Sequence, residues 1–282
     1  MNYQISSAAF EDPDMPELLK TLANYFRSQG IEFYIVGAAA RDIVLTMIHN
    51  RKTRRKTNDL DIAIMIRDWE TFEGIDSSLC DLPGFTKSSR QKQRFHYKNS
   101  LILDVIPFGE IARADRNIYW PPDETPVMSV SGFVEMAKKA LTIVIDGEFS
   151  VGVASLPGIF VLKLVAWHDR HRMTNKDADD MAYLIDEYFE INLERIVEAH
   201  PDVFEADDFT PFTAAATLMG RDIRMLLAEN EELLHELARI VDIEIGKVED
   251  SLLISQILET HRSKKFEEVQ RALDLLGHEI KK

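Results

Sequence analysis

Apolar positions recur at helical spacing early in the chain, with Leu18, Leu19, Leu22, Tyr25 and Phe26 on one face. Asp14-Met15-Pro16-Glu17 reads as the start of that helix, with Asp14 as cap and Glu17 at the capping-box position, and Gly30 stops it. Ile31 to Val36 predicts a strand ending at Gly37, and Ala38 to Ile48 a second helix. Leu60 to Ile66 is a β-rich run, and Asp68 to Leu79 a third helix. Arg94 to Lys98 and Leu101 to Ile106 predict two strands joined at Asn99-Ser100, and Thr142 to Ala154 a second hairpin turning at Asp146-Gly147. This order predicts an α/β (α+β) fold, a mixed sheet with flanking helices. Ser155 then caps a helix with Pro157 in its first turn. From Asp177 onward the pattern is helical: Leu233, Leu234, Leu237, Ile240 and Val241 form one apolar face, and Leu252, Leu253, Ile257 and Leu258 another. We therefore expect one domain over residues 1–190 and an all-helical region over 191–282.

Composition adds boundaries to this picture. With 282 residues, 45% hydrophobic and 29% charged, the chain can bury a sizeable core. The single cysteine, Cys80, excludes an intramolecular disulfide and a Cys-based zinc cluster. No apolar run approaches the roughly 20 residues that span a bilayer, so the expectation is a cytoplasmic protein with no membrane partner. The net charge of −15 is uneven: residues 1–150 hold 18 Lys/Arg against 21 Asp/Glu, and residues 151–282 hold 15 against 27. So acidic a chain is a poor non-specific coat for nucleic acid, since that binding comes from cation–phosphate contacts. Two local runs oppose the trend: Arg51-Lys52-Thr53-Arg54-Arg55-Lys56, and Lys87, Arg90, Lys92, Arg94 and Lys98. Each reads as a solvated loop or as a patch that steers an anionic acceptor.

Three carboxylates carry candidate chemistry. Asp59 and Asp61 lie in Asn58-Asp59-Leu60-Asp61-Ile62, and on a strand residues i and i+2 share a face. Two adjacent anions repel unless a cation lies between them, and magnesium, a hard ion that prefers oxygen and phosphate, meets that need. Asp104 is the one charge in Leu101-Ile102-Leu103-Asp104-Val105-Ile106. It requires a partner, either a metal or a neighbouring arginine such as Arg94. Three such carboxylates on adjacent strands could hold two magnesium ions. Gly37-Ala38-Ala39 joins a strand to a helix, where small residues let backbone N–H groups approach a phosphate; a plain strand-exit turn is the other reading. No P-loop and no dinucleotide fingerprint is present. Lys163, inside Phe160-Val161-Leu162-Lys163-Leu164-Val165, needs an anion, and a phosphate or an ion pair with Asp169 or Asp177 would serve equally.

Taken together, Tyr34-Ile35-Val36-Gly37-Ala38-Ala39-Ala40-Arg41-Asp42, Asn58-Asp59-Leu60-Asp61-Ile62-Ala63-Ile64, Leu103-Asp104-Val105-Ile106-Pro107-Phe108-Gly109 and Val161-Leu162-Lys163-Leu164-Val165-Ala166-Trp167-His168-Asp169-Arg170 resemble the nucleotidyltransferase superfamily with the polymerase-β-type core. More narrowly they are similar to the AbiEii/AbiGii-type nucleotidyltransferases, the toxins of abortive-infection or toxin–antitoxin pairs. The resemblance covers about residues 31–190. It implies that Gly37 and Ala38, with Arg41 of the same motif, hold the nucleoside triphosphate, that Asp59 and Asp61 bind both magnesium ions, and that Asp104 binds the catalytic ion near the attacking hydroxyl. It implies that Lys163 reaches the nucleotide phosphates. The family's usual Gly or Ser at the second position of the first motif is Ala38 here, so backbone N–H groups must replace a hydroxyl.

The expected activity is transfer of a nucleoside monophosphate to a hydroxyl of an RNA (tRNA-like) or protein acceptor, with an antitoxin protein as a further partner. Two other readings stand beside it. The acidic second part would suit a polycationic small molecule such as an aminoglycoside as acceptor. An idle nucleotide-binding module would retain the fold without the chemistry.

Overall fold

The computed structural model describes residues 2–52, 59–98, 100–206 and 208–282. Two compact units divide the chain, Met1–Ser155 and Leu156–Lys282. This seam falls where the strands end. The boundary expected at residue 190 rests on where the acidic helices begin.

The first unit is built on an eight-stranded mixed sheet in the order β1-β9-β10-β2-β3-β6-β5-β4. Its strands are β1 (Asn2–Ile5), β2 (Phe33–Val36), β3 (Asp59–Met65), β4 (Phe85–Lys87), β5 (Arg94–Tyr97), β6 (Leu101–Phe108), β9 (Leu141–Ile145) and β10 (Phe149–Val153). A separate two-stranded ribbon joins β7 (Asn117–Tyr119) to β8 (Val127–Ser129). The central strands β3 and β6 run parallel, while β2 and β5 flank them antiparallel. The hairpin expected at Asp146-Gly147 joins β9 to β10 through Asp146, Gly147 and Glu148, with the first two at positive φ (50° and 71°). Of the turn expected at Asn99-Ser100, Asn99 lies outside the described residues, but β5 and β6 pair as a hairpin.

Helix α1 (Met15–Gln29) and helix α3 (Trp69–Cys80) cover one face of this sheet. Phe26 of α1 meets Phe33 of β2 at 5.1 Å between ring centroids, and the Tyr25 hydroxyl hydrogen-bonds Ser78 of α3. Beneath them Leu60, Ile62, Ile64, Leu103 and Phe95 are fully buried. Asp68 caps α3 by accepting from the Thr71 N–H, and Gly30 ends α1 at φ 64°. The capping role expected of Asp14 is not made: its side chain, like that of Glu17, is drawn to the Lys98 ammonium (3.0 and 2.6 Å). The helix expected over 38–48 forms in two parts, α2 (Gly37–Asp42) and a π-helical segment (Ile43–Ile48). Helix α4 (Phe133–Lys138) packs on the other face of the sheet, with Phe133 5.7 Å from Phe108.

The longer regular elements described in the second unit are α-helices: α5 (Leu156–Arg170), α6 (Lys176–Ile191), α7 (Leu193–Ala199), α8 (Pro211–Leu226), α9 (Glu231–Gly246), α10 (Leu252–Thr260) and α11 (Phe266–Lys281). Helix α8 is its centre, buried along most of its length. Gly220 lets α11 approach closely, since a Cβ there would stand 2.7 Å from the Leu276 carbonyl oxygen. Among the described residues no helix is long and apolar enough to cross a membrane.

Candidate active site

The chemistry-bearing residues of the first unit gather on the sheet face opposite α1 and α3. Strand alternation sends Leu60, Ile62 and Ile64 into the core and leaves Asp59 and Asp61 on the other side. The parallel register pairs Asp61 with Asp104 of β6 and Asp59 with Ile102. Adjacent strands are about 4.8 Å apart, so Asp61 and Asp104 are direct neighbours and Asp59 stands one step further along the same face. The antiparallel register of β5 places Arg94 beside Asp104, and that of β2 places Val36 beside Asp61. One row therefore crosses four strands as Arg94, Asp104, Asp61 and Val36. Further along this face the residues become apolar or aromatic: Tyr34 and Phe108 face each other at 6.2 Å.

The turn after β2 closes on this row. Gly37 has φ 65°, a conformation that a side chain disfavours. A Cβ there would also stand 3.2 Å from Asp61 Cγ and closer still to its Oδ2. Gly37 is therefore required twice, by its backbone and by the carboxylate that leans against it. Ala38 beside it is half-buried. Arg41 is buried at 4% exposure and its guanidinium pairs with Asp42 at 2.8 Å.

Asp104 has a definite partner. Arg94 Nε donates to one of its oxygens at 2.8 Å and a terminal Arg94 nitrogen to the other at 2.7 Å. This is a two-pronged charge-assisted pair. Hydrogen bonding to Asp104 raises the Arg94 pKa, and the charges of Asp104, Asp59 and Asp61 raise it further against the effect of burial. Arg94 is one of the two partners that the sequence offered Asp104.

The donor set suits a hard divalent ion. Asp59 and Asp61 offer carboxylate oxygens side by side, and magnesium is usually held by one or two carboxylates plus phosphate. Among the described residues no three Asp, Glu, His or Cys side chains converge on a single metal position. Both oxygens of the third carboxylate accept hydrogen bonds from Arg94. The residues thus fit one ion at Asp59 and Asp61, with Asp104 held in reserve.

Lys163 lies on α5 in the second unit. Its ammonium is 3.1 Å from Asp177 and 2.7 Å from Asp180, both on α6. Arg170 holds the same Asp177 through two hydrogen bonds, at 2.7 and 2.9 Å. Burial would pull the Lys163 pKa down, but Asp180 and Asp177 outweigh it and hold it above the ordinary lysine value. Asp177 was one expected partner; Asp180, one helical turn on, completes the pair, and both are buried. The basic run at 51–56 falls mostly outside the described residues. In the second basic run, Lys87 and Lys92 are ion-paired, to Asp76 and to Asp123.

Arg94 lies outside the family motifs, and the need of Asp104 for a partner is what points to it in the sequence. The antiparallel register of β5 and β6 brings positions 94 and 104 together. No curated protein sequence matches this one. A family model does match, over residues 25–270 of the 282, so it reaches well into the helical region that the motifs of residues 31–190 left out. That model is described as the nucleotidyl transferase AbiEii toxin of a Type IV TA system, and the chain belongs to this family.

Proposed function

We propose that this protein transfers a nucleoside monophosphate from a nucleoside triphosphate to a hydroxyl group of an RNA (tRNA-like) or protein acceptor, as the toxin whose partner is an antitoxin. The observation that supports it most is the single sheet face on which Asp59, Asp61 and Asp104 stand in register beside the Gly37 turn. In this reading Asp59 and Asp61 hold Mg2+, and Gly37 and Ala38 present backbone N–H groups to the triphosphate. Mg2+, when bound, offsets the repulsion between the anionic triphosphate and the attacking oxygen. The acceptor oxygen forms a bond to the α-phosphorus while the bond to pyrophosphate breaks in line. In this reading Asp104 would bind the catalytic ion near the attacking hydroxyl, as the family resemblance implies. The protein's work is positioning and charge stabilisation. Within the second unit the Lys163 ammonium serves Asp177 and Asp180 with two of its three N–H donors.

Because Arg94 holds both oxygens of Asp104, a catalytically idle nucleotide-binding module is the second reading. Incubation with each α-labelled nucleoside triphosphate and Mg2+, over total RNA and total protein, separates the two. Label in one pool, absent after Asp59→Asn or Asp61→Asn substitution, supports the transferase and names its acceptor class. Nucleotide binding with no label in either pool supports the idle module.

A further inference from the structure

Arg94 opens β5 and reaches across to the only charge of β6. Its planar fork matches a carboxylate, and both Asp104 oxygens are satisfied by it at 2.8 and 2.7 Å. The pair is mostly enclosed, with side-chain exposures of 22% for Arg94 and 12% for Asp104. Water therefore screens it weakly, and its charges act strongly on neighbours in the same row. The nearest of these is Asp61, registered directly beside Asp104. Two adjacent carboxylates would repel each other, and the guanidinium cancels one of them. A divalent ion at Asp59 and Asp61 would gain Asp104 as a third ligand either on a lone pair that Arg94 leaves open or by drawing a carboxylate oxygen away from Arg94. It would also meet a positive neighbour on arrival.

We propose that Arg94 is a positioning residue of this site, the resident counter-cation that holds Asp104 aside and competes with the divalent ion for it. This rests on the reading that Asp59 and Asp61 hold that ion. Arg94 keeps the carboxylate row stable in its absence and sets how much ion or ion–nucleotide complex is needed to recruit Asp104. Lysine cannot reproduce the role, because a point ammonium does not grip both oxygens in a fixed fork.

The test is Mn2+ binding to the full-length protein without nucleotide, followed by electron paramagnetic resonance. Wild type is compared with Arg94→Gln, Arg94→Lys and the double variant Asp59→Asn/Asp61→Asn, each checked for folding by circular dichroism. Removing the competing charge in Arg94→Gln is expected to tighten Mn2+ binding about tenfold. Arg94→Lys, which keeps the charge but loses the fork, is expected to tighten it by about threefold and stands as the test if the glutamine variant does not fold. The Mg2+ concentration giving half-maximal transfer should fall in the same order. Unchanged or weaker Mn2+ binding in both Arg94 variants, with binding still lost in Asp59→Asn/Asp61→Asn, overturns the proposal and leaves the metal site standing. Mn2+ binding that survives Asp59→Asn/Asp61→Asn, or is missing from every variant, overturns both.

Discussion

Substituting alanine for Gly37 separates two costs that the structure places on one residue. The first is backbone strain: an L residue held in the left-handed region loses about 1–2 kcal/mol. Gly30, at φ 64° against 65° for Gly37, carries the same strain, yet a Cβ at Gly30 meets nothing within 4 Å. A Cβ at Gly37 meets the Asp61 carboxylate, and pushing that side chain off its rotamer adds about 1 kcal/mol. At about 3 °C per kcal/mol for a unit of this size, Gly30→Ala should lower the melting temperature by about 4 °C and Gly37→Ala by about 8 °C. The functional contrast is larger. An ångström-scale displacement of Asp61 is expected to cost about 100-fold in nucleotide transfer, whereas Gly30→Ala leaves transfer intact. Differential scanning calorimetry and transfer of label from an α-labelled nucleotide read the two effects. Equal losses of melting temperature together with unimpaired transfer in Gly37→Ala would refute the claim that this turn and Asp61 form one site.

Other predictions concern the second unit. Lys163→Ala strips the cation from two buried carboxylates and should cost about 3–5 kcal/mol in urea unfolding; a loss below about 1 kcal/mol would show that Asp177 and Asp180 find other partners. Gly220→Ala drives a methyl into the Leu276 carbonyl of α11 and should destabilise by about 1–3 kcal/mol, with transfer activity unchanged in the folded fraction. Burial pushes the Asp177 carboxyl up, but Arg170 and Lys163 outweigh it and leave its pKa below the ordinary 3.8. A depressed carboxyl stabilises the fold above its unfolded value and loses that contribution as pH falls through the folded one. The urea midpoint of the wild type should therefore drop below about pH 4, and the drop should be smaller in Asp177→Asn.

Local pattern carried the first half of the candidate site into view. Strand alternation alone puts Asp59 and Asp61 on one face, and Gly37 marks the end of β2 by its need for positive φ. The pairing of Asp61 with Asp104 is different in kind. Parallel strands are joined by a long crossover, here α3, β4 and β5, and no local rule fixes which residues of β3 and β6 meet. The π-helical segment escaped because six residues are too few to tell its period from that of an α-helix. β1 and β4 are short edge strands, and β7 and β8 flank a proline-rich loop, so none carries a run long enough for alternation to register. Asp14 looked like a helix cap because capping is a local property. Its actual partner, Lys98, lies 84 residues away and is reached only through the fold.

The central claim is that the face carrying Asp59 and Asp61 receives a divalent ion together with a nucleotide. Crystals of the full chain grown with Mn2+ and a non-hydrolysable nucleoside triphosphate analogue test it through anomalous scattering. The account predicts a manganese peak in contact with the Asp59 and Asp61 carboxylates, with the phosphates seated against Gly37 and Ala38. A bound nucleotide whose manganese lies on other residues, or phosphates seated away from the Gly37 turn, would contradict it.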